Sequence, residues 1–410
     1  MKTRRTLLAC AALTVTALLA AYASPAQDKP APQKPTPEKP APPKPAPENP
    51  AAPQAPVVHC GFCTHTGLTE CPKHAKAEMP FERNVLFCTT IADCAVCGGT
   101  GFLDCTHCEN ADATAWLARK QSQVASFKSE AQKLNAEMGK PMRMVFTEHF
   151  VLVWEIEQLK VDKRMVQHHE LMHLYAQRLE TLFSDFLAAL QVGPREFSQR
   201  SKVFVWWMPN DHVECSTRFC ESSGGRGVKL LGARSVYSVC GNKQNFTGDE
   251  QLHRNLMHNV AHLLLAHENP SFWIGNIKGG WADEGLAHWF ENKYFGVCDN
   301  YCYEEQNTNY DFKGGTWKPV IRKMVAMNDL PPVSTVLDIN TDQLTLPMHA
   351  VSFSYVDYLL QLDGKKFNAL VKQLKVKVPT RDAMKKVFDF TPFEFEEKWK
   401  AWVLETYPVR

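Results

Sequence analysis

The sequence predicts an α+β domain preceded by a small cysteine-rich module, and three observations lead there. Segments with strand periodicity precede the apolar helices, the segregated order of α+β domains. Eight of the fourteen cysteines fall between Cys60 and Cys108. Two apolar helices in the second half carry histidines and a carboxylate where only hydrophobic side chains would be at ease.

Trp116, Leu117, Val124, Phe127, Ala131 and Leu134 recur at helical spacing and predict a helix over 111–139. Pro141 punctuates it. Met142 to Ile156 is rich in Val, Phe and Trp and predicts a strand pair or one long strand. An amphipathic helix is expected over 163–191, ended by Gly193-Pro194. Lys202 to Trp207 reads as a strand, Val228 to Cys240 as strands with a turn, and Asp249–His267 and Ala282–Phe295 as helices. From about Trp317 the chain is mainly helical, closing with the run Phe393 to Tyr407.

The chain has 410 residues, 44% hydrophobic and 22% charged, with net charge +2. The length calls for more than one unit. The charge balance offers no global field for nucleic acid, and no nucleic-acid partner is expected. Lys2, Arg4 and Arg5 precede an apolar run from Leu7 to Leu19 and the small-x-small site Ala21-Tyr22-Ala23. Residues 1–23 therefore read as a signal peptide, and the protein as exported, periplasmic or extracellular in a bacterium. Thr3-Arg4-Arg5-Thr6-Leu7-Leu8 resembles a twin-arginine signal. An uncleaved anchor is the alternative; once the signal is cleaved, no stable membrane span is expected. Cys10 precedes most of the apolar core, which argues against a lipoprotein box. Residues 24–56 repeat Lys-Pro-Ala-Pro units and predict an extended linker, because proline fixes φ and removes donors.

Residues 57–110 carry ordered ligands. Cys60-x-x-Cys63 is followed by Cys71-x-x-His74, and Cys94-x-x-Cys97 by Cys105-x-x-Cys108; each second pair begins eleven residues after the first, and the whole repeats after 34. A C-x-x-C turn brings two sulfurs to one tetrahedral zinc, so seven thiolates and the His74 imidazole would fill two structural sites. A disulfide framework is the alternative in an exported protein. Cys94-Ala-Val-Cys97-Gly98-Gly99-Thr100-Gly101 resembles the cysteine-rich zinc domain of DnaJ-type chaperones. That resemblance implies that the first and fourth pairs share one zinc and the second and third the other. The first half departs from it: His65 stands where a glycine is expected, and His74 replaces a cysteine. Cys88 lies outside the pattern. Residues 111–140 would form a connecting helix.

Two segments of the 141–410 region have the spacing of a zinc-binding helix, in which two imidazoles one turn apart grip a metal and an intervening glutamate acts as base. His169-Glu170-Leu171-Met172-His173 matches literally. Its histidines flank the stripe Met165, Met172, Ala176, Leu179, Phe183, Phe186 and Leu190, and half-exposed histidines beside a core stripe explain it. His258-Asn259-Val260-Ala261-His262 lies in an almost wholly apolar helix, and Glu284 follows 22 residues after His262 in another. One cation would satisfy all three groups.

With Trp281-Ala282-Asp283-Glu284-Gly285-Leu286-Ala287 downstream, this part resembles the peptidase-MA-like gluzincin metallopeptidases from about Met144 onward. The resemblance implies a gluzincin-like zincin domain with one zinc on His258, His262 and Glu284. It departs at Asn259, which stands where the base glutamate belongs; an amide orients a water but takes no proton from it at neutral pH. It departs again at His349, in the place of a late tyrosine; His349 or Tyr355 could donate to a transition state. An enzyme working by another route would need Asp283, Glu250 or His288 as base. The expected function is therefore that of a zinc-binding, catalytically impaired metallopeptidase-like protein that binds a peptide or protein. An active zinc peptidase with a different base and a purely structural envelope protein are the alternatives. Some of Cys215, Cys220, Cys240, Cys298 and Cys302, or Cys88, are expected to pair as disulfides.

Overall fold

The computed structural model describes residues 60–74, 85–302 and 312–410. The signal peptide, Cys10 and the proline-rich linker lie outside them. Residues 57–410 form one compact unit, of mixed α and β structure. Among the described residues, no helix is long and apolar enough to cross a membrane.

The cysteine-rich segment contributes β1 (Leu68–Glu70), β2 (Phe87–Cys88) and β3 (Phe102–Asp104). β1 and β3 pair antiparallel, with Leu68 opposite Asp104. α1 (Ala111–Met138) follows. Its N-cap is Asn110, whose side chain accepts from Ala113 N at 3.0 Å, and Gly139 ends it at φ +79, the left-handed cap only glycine adopts without penalty.

The central sheet adds β4 (Met144–Phe146), β5 (Phe150–Trp154), β8 (Ser201–Trp206), β9 (Gly227–Leu230) and β10 (Val236–Cys240), with the separate hairpin β6 (Gln158–Val161) and β7 (Arg164–Gln167) between β5 and β8 in the chain. Strand order is β2-β4-β5-β8-β10-β9. The inner strands β5, β8 and β10 run parallel, and the outer pairings are antiparallel. β5, β10 and almost all of β8 are buried, as strands covered on both faces must be. β2 pairs with β4, Phe87 opposite Phe146, so the cysteine-rich segment supplies an edge strand of the main sheet. One face is covered by α1 and by α3 (Pro209–Phe219), with Phe127, Leu134 and Phe219 against Phe146, Val153 and Phe204.

The other face carries α2 (His168–Leu190), α4 (Asp249–His267), α5 (Gly280–Phe295) and α8 (Leu346–Lys375). α6 (Trp317–Ala326), α7 (Val333–Val336), α9 (Thr380–Phe388) and α10 (Pro392–Thr406) complete that layer. α5 and α8 approach closely because Gly285 has no side chain: a Cβ there would stand 2.5 Å from Ser352 O. The N-terminus of α4 is fixed to α2, since Tyr175 Oη donates to Asp249 Oδ1 at 2.7 Å and Arg178 donates to both Asp249 oxygens at 2.7 and 2.9 Å.

The predicted helix over 163–191 starts later. Residues 158–167 form a hairpin with Val161 opposite Arg164, turned by Asp162 at φ +51 and Lys163. Helix geometry begins only at His168.

Candidate metal centres

In the cysteine-rich segment the ligand turns fold back through the β1–β3 ladder, which carries the first half of the repeat onto the second. Cys60, Cys63, Cys105 and Cys108 converge, and so do Cys71, His74, Cys94 and Cys97. These are the two groupings that the chaperone resemblance implied. In a tetrahedron with metal–nitrogen distances of about 2.0 Å and metal–sulfur distances of about 2.3 Å, sulfur–sulfur edges are about 3.8 Å and nitrogen–sulfur edges about 3.6 Å. Cys60 and Cys105 sulfurs are 3.9 Å apart, Cys63 and Cys108 3.6 Å, Cys71 and Cys94 3.9 Å, and Cys97 Sγ lies 3.6 Å from His74 Nε2. The donors fit zinc and lie far outside disulfide length.

The two halves agree in backbone as well. Gly67 N donates to Cys63 Sγ and Gly101 N to Cys97 Sγ, each at 3.3 Å. Gly98 and Gly99 have φ +59 and +84, and their counterparts Thr64 and His65 have φ +48 and +65. The turn keeps its left-handed shape in the first half without its glycines.

The second centre is built on three elements. α4 supplies His258 and His262, and α5 supplies Glu284; all three are at most 1% exposed. The Nε2 atoms of the two histidines are 3.3 Å apart. Glu284 Oε2 lies 3.5 Å from His258 Nε2, and Oε1 lies 3.5 Å from His262 Nε2. Neither Glu284 oxygen makes a hydrogen bond. An ionised carboxylate buried without donors is strongly disfavoured unless a cation meets it.

Sequence reasoning missed a fourth member. Cys302 Sγ stands 3.3 Å from His262 Nε2 and 3.9 Å from His258 Nε2, completing a His258–His262–Glu284–Cys302 cluster. A tetrahedral zinc would need nitrogen–nitrogen edges of about 3.3 Å and nitrogen–sulfur edges of about 3.6 Å, so four protein donors are already in place. Sequence distance hid Cys302, since it follows the end of α5 and was expected to seek a disulfide.

Its position is prepared by Glu291, one turn beyond His288 on α5. Glu291 Oε1 accepts from Asp299 N at 2.8 Å and from Asn300 Nδ2 at 2.7 Å, fixing the segment that leads to Cys302. Arg254 of α4 also pairs with Asp299. The other carboxylate oxygen of Glu291 is 3.3 Å from His258 Nδ1, and Asp283 Oδ1 is 3.0 Å from His262 Nδ1. Both contacts are within ion-pair reach but out of hydrogen-bond alignment, as the nitrogens and these oxygens make no hydrogen bond. Each imidazole thus has a carboxylate behind it and Nε2 toward the centre, so a small ring rotation would give the carboxylate–histidine hydrogen bond usual behind a ligating histidine.

Burial works against charge at His258, yet contacts with Cys302, Glu284 and Glu291 hold its pKa above the ordinary value. Burial and Glu284 raise the Cys302 thiol, but His262 and Lys229 prevail and bring it down to about 6. The cluster favours a thiolate.

Asn259 faces Lys229 of β9. Lys229 Nζ donates to Asn259 Oδ1 at 2.7 Å and to Cys302 Sγ at 2.9 Å. Asn259 Nδ2 donates to Asn255 O at 2.8 Å. The residues considered as substitute bases are engaged elsewhere. Asp283 also accepts from Trp273 Nε1 at 2.8 Å, Glu250 pairs with Arg254, and His288 Nε2 lies 2.9 Å from His349 Nδ1. His349 stands 3.7 Å from Glu284 Oε2, behind that carboxylate. Tyr355 is in the aromatic core, its ring 4.7 Å from Trp399 and 5.0 Å from Phe395, which places it among packing residues.

All thirteen described cysteines are free thiols, so the expected disulfides do not form among them. The sulfurs are spent separately: Cys220 on Val228 O, Cys240 on Trp207 O, Cys298 on His288 O, Cys302 in the candidate metal cluster. The literal motif departs from expectation too. His169 and His173 are 6% and 2% exposed rather than half-exposed, because Cys88 of β2 packs over that side of α2. Glu170 turns away into an ion pair with Arg164.

No protein-family model matches this chain, and no curated protein matches it.

Proposed function

We propose that this chain is a zinc-binding, metallopeptidase-like protein that has lost hydrolysis and acts by binding a peptide or protein. Its zinc would sit on His258, His262, Glu284 and Cys302, with two more in the cysteine-rich segment. The observation that carries this reading is Lys229 bridging Asn259 and Cys302. A hydrolytic zinc needs one coordination position open to water and a base beside it. On this reading the Cys302 sulfur would take the fourth position, and an amide tied to an ammonium stands where the base would be needed. Neither group can take a proton from water at neutral pH while so engaged. A gluzincin ancestry for residues 141–410, a chaperone-like origin for residues 57–110, and export belong to the same proposal.

A binding role draws support from the cysteine-rich segment. Phe62 and Val96 hold the same position of the Cys60–Cys63 and Cys94–Cys97 turns and are 64% and 43% exposed. Paired exposed apolar side chains on rigid turns are the kind of contact a peptide segment can cover.

Metal analysis of the full chain should give about three zinc ions, and casein should remain uncleaved. The double substitution Asn259→Glu, Cys302→Ser restores a base and an open position and should generate detectable hydrolysis, whereas Asn259→Glu alone should not. A peptide array should retain the protein and release the Phe62→Ser, Val96→Ser variant. Zinc-dependent casein cleavage by the unaltered protein would overturn the reading.

A further inference from the structure

Cys88, His169 and His173 form a cluster that neither the zinc repeat nor the Asn259 centre uses. One ligand atom from each lies within 4.8 Å of the others, and all three residues are buried. The histidines are one turn apart on α2, with ring centroids 4.5 Å apart. Neither nitrogen of His173 makes a hydrogen bond, nor does Nε2 of His169. Buried imidazole nitrogens without partners are costly, and one ion would take up two of the three, one on each ring. Thr90 is the polar neighbour at the rim: its Oγ1 lies 2.9 Å from His169 Nδ1 and 3.1 Å from Cys88 Sγ. Thr90 is exposed, so the cluster lies one residue from solvent.

We propose that Cys88, His169 and His173 are a metal site of a different kind from the others, taking one Cu(I) ion. Three donors of the set N, N, S match the low coordination of a soft monovalent ion, whereas zinc prefers a fourth ligand. Charge argues the same way. The cluster contains no carboxylate, and the buried cation Lys120 acts on both Cys88 and His173. A divalent ion on one thiolate and two neutral imidazoles would leave net positive charge in an apolar interior beside that ammonium. A monovalent ion leaves the site neutral. Because Cys88 belongs to β2 and the histidines to α2, the ion would also pin the edge strand to the helix beneath it.

The test uses the full chain, zinc-replete and reduced, given Cu(I) without oxygen as its bicinchoninate complex. About one copper per chain should survive desalting with zinc content unchanged. His169→Gln with His173→Gln, which leaves every thiol in place, should abolish that copper, and Cys88→Ser should weaken it at least tenfold. Retained zinc in these variants reports that they are folded. X-ray absorption at the copper edge of the unaltered protein should show two nitrogens and one sulfur, a readout that needs no variant. Absence of retained copper, copper undiminished in the double variant, an all-sulfur copper shell, or a zinc ion removed by Cys88→Ser would each overturn the proposal.

Discussion

Asp283 Oδ1 lies 3.0 Å from Nδ1 of His262, so consecutive residues of α5 face one histidine from opposite sides, Glu284 toward Nε2 and Asp283 toward Nδ1. Carboxylates behind ligating histidines raise their basicity and fix the ring. Asp283→Asn should lower zinc affinity at this centre about 10- to 100-fold, measured by chelator competition on the full chain. An unchanged affinity would mean the contact is incidental.

Cys302 should contribute sulfur to the same ion. Replacing zinc by Co(II) and subtracting the spectrum of Cys302→Ser should leave a near-ultraviolet thiolate charge-transfer band from one sulfur. A null difference spectrum would remove Cys302 from the ligand set and reopen the fourth position.

In the cysteine-rich segment, His65 holds φ +65 where its counterpart Gly99 holds +84. The left-handed conformation costs an L-residue about 1–2 kcal/mol, from which glycine is exempt. His65→Gly should therefore raise the stability of the zinc-loaded protein by up to about 1 kcal/mol after glycine's greater unfolded-state entropy is charged against it. Thermal unfolding decides it, and a lowered midpoint would show that the His65 side chain makes a contact worth more than the strain.

Gly285 lets α5 reach α8, and with it sets the depth of Glu284. An alanine Cβ there would meet Ser352 O at 2.5 Å. Overpacking of this kind typically costs about 1–3 kcal/mol. Gly285→Ala should lower the unfolding free energy by that amount, read from denaturant unfolding, and weaken zinc binding together with it. Stability lost with zinc affinity intact would separate the helix contact from the metal centre.

The acid limb of the stability curve should depend on Asp249. Burial raises its pKa, but the paired donors of Arg178 and the Tyr175 hydroxyl outweigh burial and hold it below the ordinary carboxylate value. A depressed folded-state pKa means the unfolded chain takes up the proton first. The contribution is therefore full above the unfolded carboxyl pKa, and is lost as pH falls through the folded one. Asp249→Asn should destabilise the protein at pH 7 by roughly 1–3 kcal/mol and flatten the slope below about pH 4. An unchanged acid slope would assign that loss to other groups.

Local sequence determined a great deal of this protein. Periodicity placed α1, α4, α5 and the strands β5, β8 and β10 to within a few residues, because burial of one face or of a whole strand leaves its mark on neighbouring positions. The Cys-x-x-Cys repeat and the His258–His262 spacing were legible for the same reason: ligands one turn apart are set by backbone geometry alone. The hairpin before α2 was not legible, since Met165 and Val166 continue a helical stripe and only Asp162, turning left-handed, interrupts it. Tertiary structure alone decided that Cys302 closes the His258–His262–Glu284 centre, that Lys229 joins it to Asn259, and that Cys88 lands on His169 and His173. Cys302 stands 44 and 40 positions from the two histidines, and Lys229 stands 30 from Asn259. Such pairings are chosen by how the sheet and helices pack, and the packing leaves no periodic trace in the chain.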